Sequence, residues 1–259
     1  MGFFVWLTSI ETRSMYFLDQ LRSVSSRIRP NRAQRHPMQT GLAGSDLERL
    51  EYFESFCSWP QTYYFKTIAV SQLIRPSTIV EVGVAYGYHA AALLTANSGA
   101  TYIGVDPYFP GYDEMDAFAA DVCILMDSLS PYDAFDRLHG AVSEKLYSKF
   151  GERASLMREP SREAAKKFAD KSVDLIFIDG DHRFDEVRGD LIAWWPKVTR
   201  GGALCGDDWD WPDVSKAVKE FANCMGEEVL LIGSPKNLTS LGLFLNPRLS
   251  REIDLLLVF

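Results

Sequence analysis

Val173-Asp-Leu-Ile-Phe-Ile-Asp-Gly-Asp-His182 is an apolar run that breaks abruptly into carboxylates, and Gly201-Gly-Ala-Leu-Cys-Gly-Asp-Asp208 repeats the pattern. Short continuous runs of this kind suit parallel strands buried on both faces. Open α/β sheets bind ligands beyond the carboxyl ends of their strands. Asp179, Asp207 and Asp208 are therefore expected to converge there, with His182 beside the first of them. Oxygen donors with room for water suit Mg2+, with Mn2+ or Ca2+ as substitutes, and argue against zinc. The plainer alternative is that these aspartates cap the helices that follow. A neutral imidazole at position 182 could take up a proton, although a lone loop histidine is usually only a polar surface residue.

Outward from this stretch the chain alternates strand and helix. Strands are expected at Thr78–Val82, Thr101–Asp106, Ala154–Arg158, Val173–Ile178 and Gly202–Cys205. Helices are expected at His89–Asn97, Ser161–Phe168, Asp185–Trp195 and Val214–Asn223. Two closing strands, Glu228–Gly233 and Leu241–Leu245, bring the expectation to a seven-stranded, mostly parallel, doubly wound α/β sheet. Ahead of it, residues 1–29 read as helical and residues 29–37 as a polar connector. Ser45-Asp-Leu-Glu48 has the capping-box spacing that starts a helix, and a second helix runs from Pro60 to Ile74. The division is a helical extension over 1–59 and one α/β domain over 60–259.

The connection from Asp106 to Ala154 is too long for a single crossover helix. Its aromatic start (Tyr108, Phe109, Tyr112) leaves the same sheet edge as the carboxylates, so residues 107–138 form either a substrate lid or a packed insertion.

A chain of 259 residues with 47% hydrophobic content can bury one large core. A net charge of -8, without a Lys/Arg-rich block, excludes a nucleic-acid partner. The four cysteines form no CxxC pair, which fits free thiols in a reducing cytoplasm. The apolar start at Phe3, Phe4 and Trp6 is cut short by Glu11 and Arg13, so no stable membrane insertion is expected. That segment is read as packing on the core or on a second subunit in a homo-oligomer, with loose membrane contact as the weaker alternative.

Gly83 and Gly87 lie in the turn from the first strand into the first helix, where bare backbone N–H groups can meet an anion. Asp106, ending the second strand, is placed to accept the hydroxyls of a ribose. A nicotinamide cofactor would satisfy this pair too, but the third glycine of that fingerprint is missing.

Glu81-x-Gly83-x-x-x-Gly87-Tyr88, then Gly104-Val-Asp106, then Val173 to His182, then Gly201 to Asp208, together resemble the class I S-adenosylmethionine-dependent methyltransferases. Within them the chain is similar to the metal-dependent O-methyltransferases, of the catechol type and of the macrolide-sugar type such as the macrocin and mycinamicin enzymes. The resemblance covers roughly Thr78 to Phe244. It implies that Glu81 and Gly83 lie at the methionine side of S-adenosyl-L-methionine, with Tyr88 and the helix start at His89 holding its carboxylate. It implies that Ser161 borders the adenine, that Asp179, Asp207 and Asp208 bind the metal, and that His182 is the base. Catechol-type relatives carry lysine at that offset and sugar-type relatives histidine. The expected activity is O-methylation of a small-molecule hydroxyl, on a sugar or glycosylated natural product. Competing readings are a methyltransferase that needs no metal, a cofactor-binding partner without catalysis, and a nicotinamide oxidoreductase.

Overall fold

The computed structural model describes residues 44–56, 64–111, 118–227, 229, 231–234, 237–245 and 255–258. The expected helix over 1–29, the connector after it, and Tyr112 lie outside them.

The first five strands pair parallel with one another: β1 (Thr78–Val82), β2 (Thr101–Val105), β3 (Ala154–Met157), β4 (Val173–Ile178) and β5 (Val198–Gly206). β1 sits between β2 and β4, with Val82 opposite both Val105 and Ile178. The strand ends that carry Gly83, Asp106 and Asp179 are thereby brought level. β4 alternates between two cores. Leu175 and Phe177 face one cluster, Ile176 and Ile178 the other, which is why the run is apolar without a break.

The expectation of seven strands is corrected: the described residues form a sheet of eight. The order is β3-β2-β1-β4-β5-β8-β7-β6, with β6 (Leu231–Ser234), β7 (Asn237–Leu245) and β8 (Leu255–Val258). Leu255–Val258 is short and lacks alternation, so it carries little strand signal. It nonetheless pairs parallel to β5 and antiparallel to β7, covering an edge that would leave backbone groups unpaired.

Ser45 starts α1 (Asp46–Phe56) as its spacing predicts: Ser45 N donates to Glu48 Oε2 at 2.7 Å and Glu48 N to Ser45 Oγ at 3.2 Å. α2 (Phe65–Ile74) and α3 (Tyr88–Ala96) follow. The long connection holds α4 (Phe118–Met126) and α5 (Pro131–Phe150). Val122, Leu125, Met126, Phe135 and Leu138 are buried, so residues 118–138 take the packed alternative. α1 joins the same core through Leu50, and Arg137 Nε and Lys145 Nζ bind Asp46 and Glu54 across it at 3.0 and 2.6 Å. α1 therefore shares its packing with the domain. On the other face lie α6 (Ser161–Ala165), α7 (Phe184–Trp194) and α8 (Pro212–Met225). Among the described residues no helix is long and apolar enough to cross a membrane.

Candidate active site

Gly83 is the hinge point of the site. Its N–H donates to Val105 O at 2.9 Å, and Asp179 N donates to Val82 O at 2.8 Å, so the ends of β1, β2 and β4 are stitched together. Gly83 has φ +85°, and a Cβ there would stand 1.8 Å from the Asp179 carbonyl oxygen. Close packing of two turns, not only ligand access, demands glycine here. Gly87 is the left-handed N-cap of α3, and a Cβ on it would press Val142 Cγ1 at 2.8 Å.

Two cavities open on either side of Gly83. One, of about 460 Å3, is lined by Asp106, Phe109, Ser161, Gly180, Asp181 and Asp190 among others. The other, of about 430 Å3, is lined by Tyr64, Glu81, Tyr86, His89, Asp179 and Asp208 among others. Most of the sequence-derived site residues thus divide between two chambers that share one glycine, while Gly87, His182 and Asp207 line neither.

In the first chamber Asp106 has work that the sequence did not announce. Its Oδ2 accepts from Val84 N and Ala85 N at 2.9 and 3.0 Å, and its Oδ1 from Tyr108 N at 2.7 Å. Burial raises its pKa while these three donors pull it down. A carboxylate offers about four acceptor sites, so the glycine turn takes most of Asp106 and little remains for two ribose hydroxyls. Tyr108 is buried, donating to Ala85 O at 3.0 Å, while Phe109 is exposed on the cavity rim. Ser161 Oγ accepts from Trp194 Nε1 at 2.8 Å. Asp181 binds Arg183, not His182. Asp190 does not face solvent: it is 5% exposed, and burial pushes its carboxyl up to about 6.

In the second chamber Glu81 is buried and doubly held. It accepts from the Tyr102 hydroxyl, and its Oε1 lies 2.9 Å from His89 Nδ1. A carboxylate can only accept, so Nδ1 carries the proton. His89 is wedged between Tyr64 and Phe177, with ring centroids at 4.4 and 4.3 Å, and its buried Nε2 has no partner. Tyr88 behaves as a core aromatic. Its hydroxyl donates to Leu50 O at 3.1 Å, and Lys145 Nζ stands 4.4 Å over its ring.

Between the chamber wall and α8, Asp179, His182 and Asp208 place one donor atom each within 4.8 Å of one another. His182 Nε2 is 2.8 Å from Asp208 Oδ2 and 3.8 Å from Asp179 Oδ1, and Trp211 covers its ring at 4.5 Å. Burial opposes a charged imidazole, but the two carboxylates outweigh it and push His182 up to about 10. Asp208 has φ +56°, a left-handed turn that costs an L-residue about 1 kcal/mol or more. Asp207 falls outside the three-residue group. Burial, then the charges of Asp179 and Asp208, push it up to about 7, and the buried Lys66 partly offsets them.

Lys66 and Tyr64 were not singled out from the sequence, since nothing local marks a residue at the start of a helix that meets a distant strand end. Asp190 did carry a signal. It falls on the buried stripe Val187, Asp190, Leu191, Trp194 of α7, where a carboxylate is out of place.

Comparison with known proteins agrees with this geometry. The methyltransferase domain family model (Methyltransf_24) matches residues 80–209, half of the chain. No curated protein matches the chain. Among solved structures, the S-adenosylhomocysteine-bound methyltransferase PaMTH1 of Podospora anserina is 16% identical, with 79% of this chain and 88% of that one covered and a TM-score of 0.50. CalS11, a TDP-rhamnose 3'-O-methyltransferase of calicheamicin biosynthesis, is 16% identical over 86% of this chain and 92% of its own, also with a TM-score of 0.50. At such identities the likeness is one of fold, whereas the family match bears on the motifs themselves. This chain belongs to the methyltransferase domain family and is a class I S-adenosylmethionine-dependent methyltransferase.

Proposed function

We propose that the protein moves the methyl group of S-adenosylmethionine to a hydroxyl oxygen of a small molecule, with a divalent cation at the acid cluster. The observation that carries this reading is the pair of chambers meeting at Gly83, with Asp179 and Asp208 in the wall of one of them. An elongated cofactor laid across Gly83 has its nucleoside on the Asp106 side and its methionine on the Glu81 side. Its sulfonium then faces the acids. The unpartnered, buried Nε2 of His89 fits the polar end of the methionine moiety, since such an atom costs about 1–3 kcal/mol unless a ligand answers it.

The donor set also fits a cation. Donor atoms of Asp179 and Asp208 lie within 4.8 Å of each other, close enough to share one hard ion at about 2.1 Å, with Asp207 adjoining and His182 beside them. When bound, such an ion neutralises the acids and makes a neighbouring hydroxyl more acidic. The protein's own residues do the rest. Gly83 and the Val84–Ala85 turn seat the cofactor, and Asp106 keeps that turn in shape. Tyr64, Tyr86 and Phe118 line the chamber with apolar rings that orient the acceptor and exclude water. His182 takes the hydroxyl proton as the oxygen–carbon bond forms and the carbon–sulfur bond breaks, leaving a methyl ether and a neutral thioether. With no cation, Asp179 and Asp208 hold His182 protonated, so its service as a base requires their charge to be answered elsewhere.

A sugar hydroxyl is the favoured acceptor class. Support comes from histidine, rather than lysine, at position 182, from the aromatic chamber wall, and from fold likeness to a nucleotide-sugar O-methyltransferase. A second reading, methyl transfer without metal, draws on the 2.8 Å His182–Asp208 contact, which already neutralises part of the cluster. The test is methyl transfer from labelled S-adenosylmethionine to nucleotide sugars and to catechols, with Mg2+ and with EDTA. Mg2+-dependent labelling of a sugar supports the proposal. Full labelling under EDTA moves the assignment to the second reading, and labelling of catechols alone removes the sugar.

A further inference from the structure

Asp190 is a buried acid that the proposed reaction leaves unused. It lines the nucleoside-side chamber together with Asp106, Ser161 and Gly180, and its neighbours there are already committed. Ser161 Oγ accepts from Trp194 Nε1 at 2.8 Å and lines the chamber beside Asp190, whose ionised form it favours. Arg162 is held by Glu186 and Arg183 by Asp181. Burial disfavours its ionised form, and only the neutral Ser161 hydroxyl and the charge of Arg162, itself paired with Glu186, favour it. A buried carboxylate in such a setting has acceptor sites to fill and no donor of its own to offer. Asp106, across the same chamber, is by contrast nearly saturated by three backbone N–H groups.

We infer that Asp190 reads the adenine ring, accepting a hydrogen bond from its exocyclic 6-amino group, and that Ser161 orients Asp190 instead of touching the base itself. The inference rests on the reading that the nucleoside of S-adenosylmethionine occupies this chamber. An acceptor-only group admits an amino substituent and gains nothing from a ring that bears hydrogen in its place. Asp190 would then set the choice of nucleoside, a task the glycine turn cannot perform because it meets every nucleoside alike.

The test is calorimetric binding of S-adenosylhomocysteine and of its 6-deamino (purine riboside) analogue to the full-length protein and to two variants. The wild-type protein should prefer the amino form by about 10- to 100-fold, as befits a hydrogen bond to a charged group. Asp190→Ala should shrink that preference to within about threefold by weakening the amino form alone. Asp190→Asn keeps the shape and a weaker neutral acceptor, so its preference should fall in between and serves if the alanine variant does not fold. An unchanged preference in the variants, or an equal loss for both ligands, overturns the inference. So does a variant whose discrimination changes for a 2'-deoxyribose analogue and not for the deaminated base. Failure of the wild-type protein to bind S-adenosylhomocysteine at all would instead remove the underlying placement of the cofactor.

Discussion

The two chambers that share Gly83 are nearly equal in size, about 460 and 430 Å3, yet they treat charge in opposite ways. On the nucleoside side the arginines are paired, Arg183 with Asp181 and Arg162 with Glu186, and Asp106 is answered by backbone N–H groups. On the methionine side Asp179, Asp207 and Asp208 crowd together against His182 and Lys66, and Asp207 is pushed up to about 7. A chamber neutralised except for Asp190 suits a neutral nucleoside, which meets little competition from the chamber's own charges. A chamber with surplus negative charge stores potential that a cation, or a developing positive centre, can use. On the proposed placement of the cofactor, binding and reaction are separated by how completely each wall satisfies itself.

The acids themselves are the strongest lever on this contrast. Asp179→Ala is expected to lower methyl transfer by about 10^3-fold or more and to abolish any response to Mg2+, measured by turnover across a metal titration. EDTA treatment of the wild-type protein should match that loss, and Mg2+ should restore it; undiminished turnover in EDTA removes the cation from the chamber. His182→Ala is expected to cost about 10^2- to 10^4-fold in turnover. S-Adenosylhomocysteine affinity should stay within about threefold, because the proposed cofactor contacts are made by Gly83, Glu81 and His89 and not by His182. A matching loss of affinity would tie the histidine to the cofactor instead.

Gly83→Ala attacks both chambers at once. Its Cβ meets a carbonyl oxygen at 1.8 Å where φ is +85°, so urea denaturation should show a loss of about 3 kcal/mol or more. Stability against pH gives a smaller effect. Folding raises Asp190 to about 6 and Asp207 to about 7, above their unfolded values, so the native state binds more protons than the unfolded chain between about pH 4 and 7. The metal-free protein should lose stability as pH rises through that window. His182 adds the same trend at higher pH: its contribution is full below about 6.5 and is lost as pH rises through about 10. Asp190→Asn should remove its share, up to about 3 kcal/mol, at pH 8 and almost none at pH 4, read from melting temperatures. An unchanged pH profile in that variant would mean that the carboxylate is solvated in the folded protein.

Most of the elements were readable along the chain because each is announced by neighbours in sequence. The capping spacing of Ser45 and Glu48 marked α1, and the unbroken apolar run of β4 reported burial on both faces. The carboxylates at the strand ends followed from the same runs. Beyond this, local pattern was silent or misleading. Asp106 looked free for a ribose, but Val84, Ala85 and Tyr108 claim it from two different turns. Three acids at the ends of two strands looked equivalent, yet Asp208 meets His182 while Asp207 feels the charge of Lys66. Leu255–Val258 acquired strand character from the exposed edge of β5 that it covers.

What the residue order settled here is chemical supply: which groups stand at the ends of which strands, since periodicity and turn chemistry act over a few residues. Allocation of those groups was left to the folded molecule. Hydrogen bonds and charge interactions act over a few ångströms and are indifferent to separation along the chain. Only the packing of β1, β2, β4 and α7 could therefore decide which carboxylates are spent on the protein and which remain for a ligand.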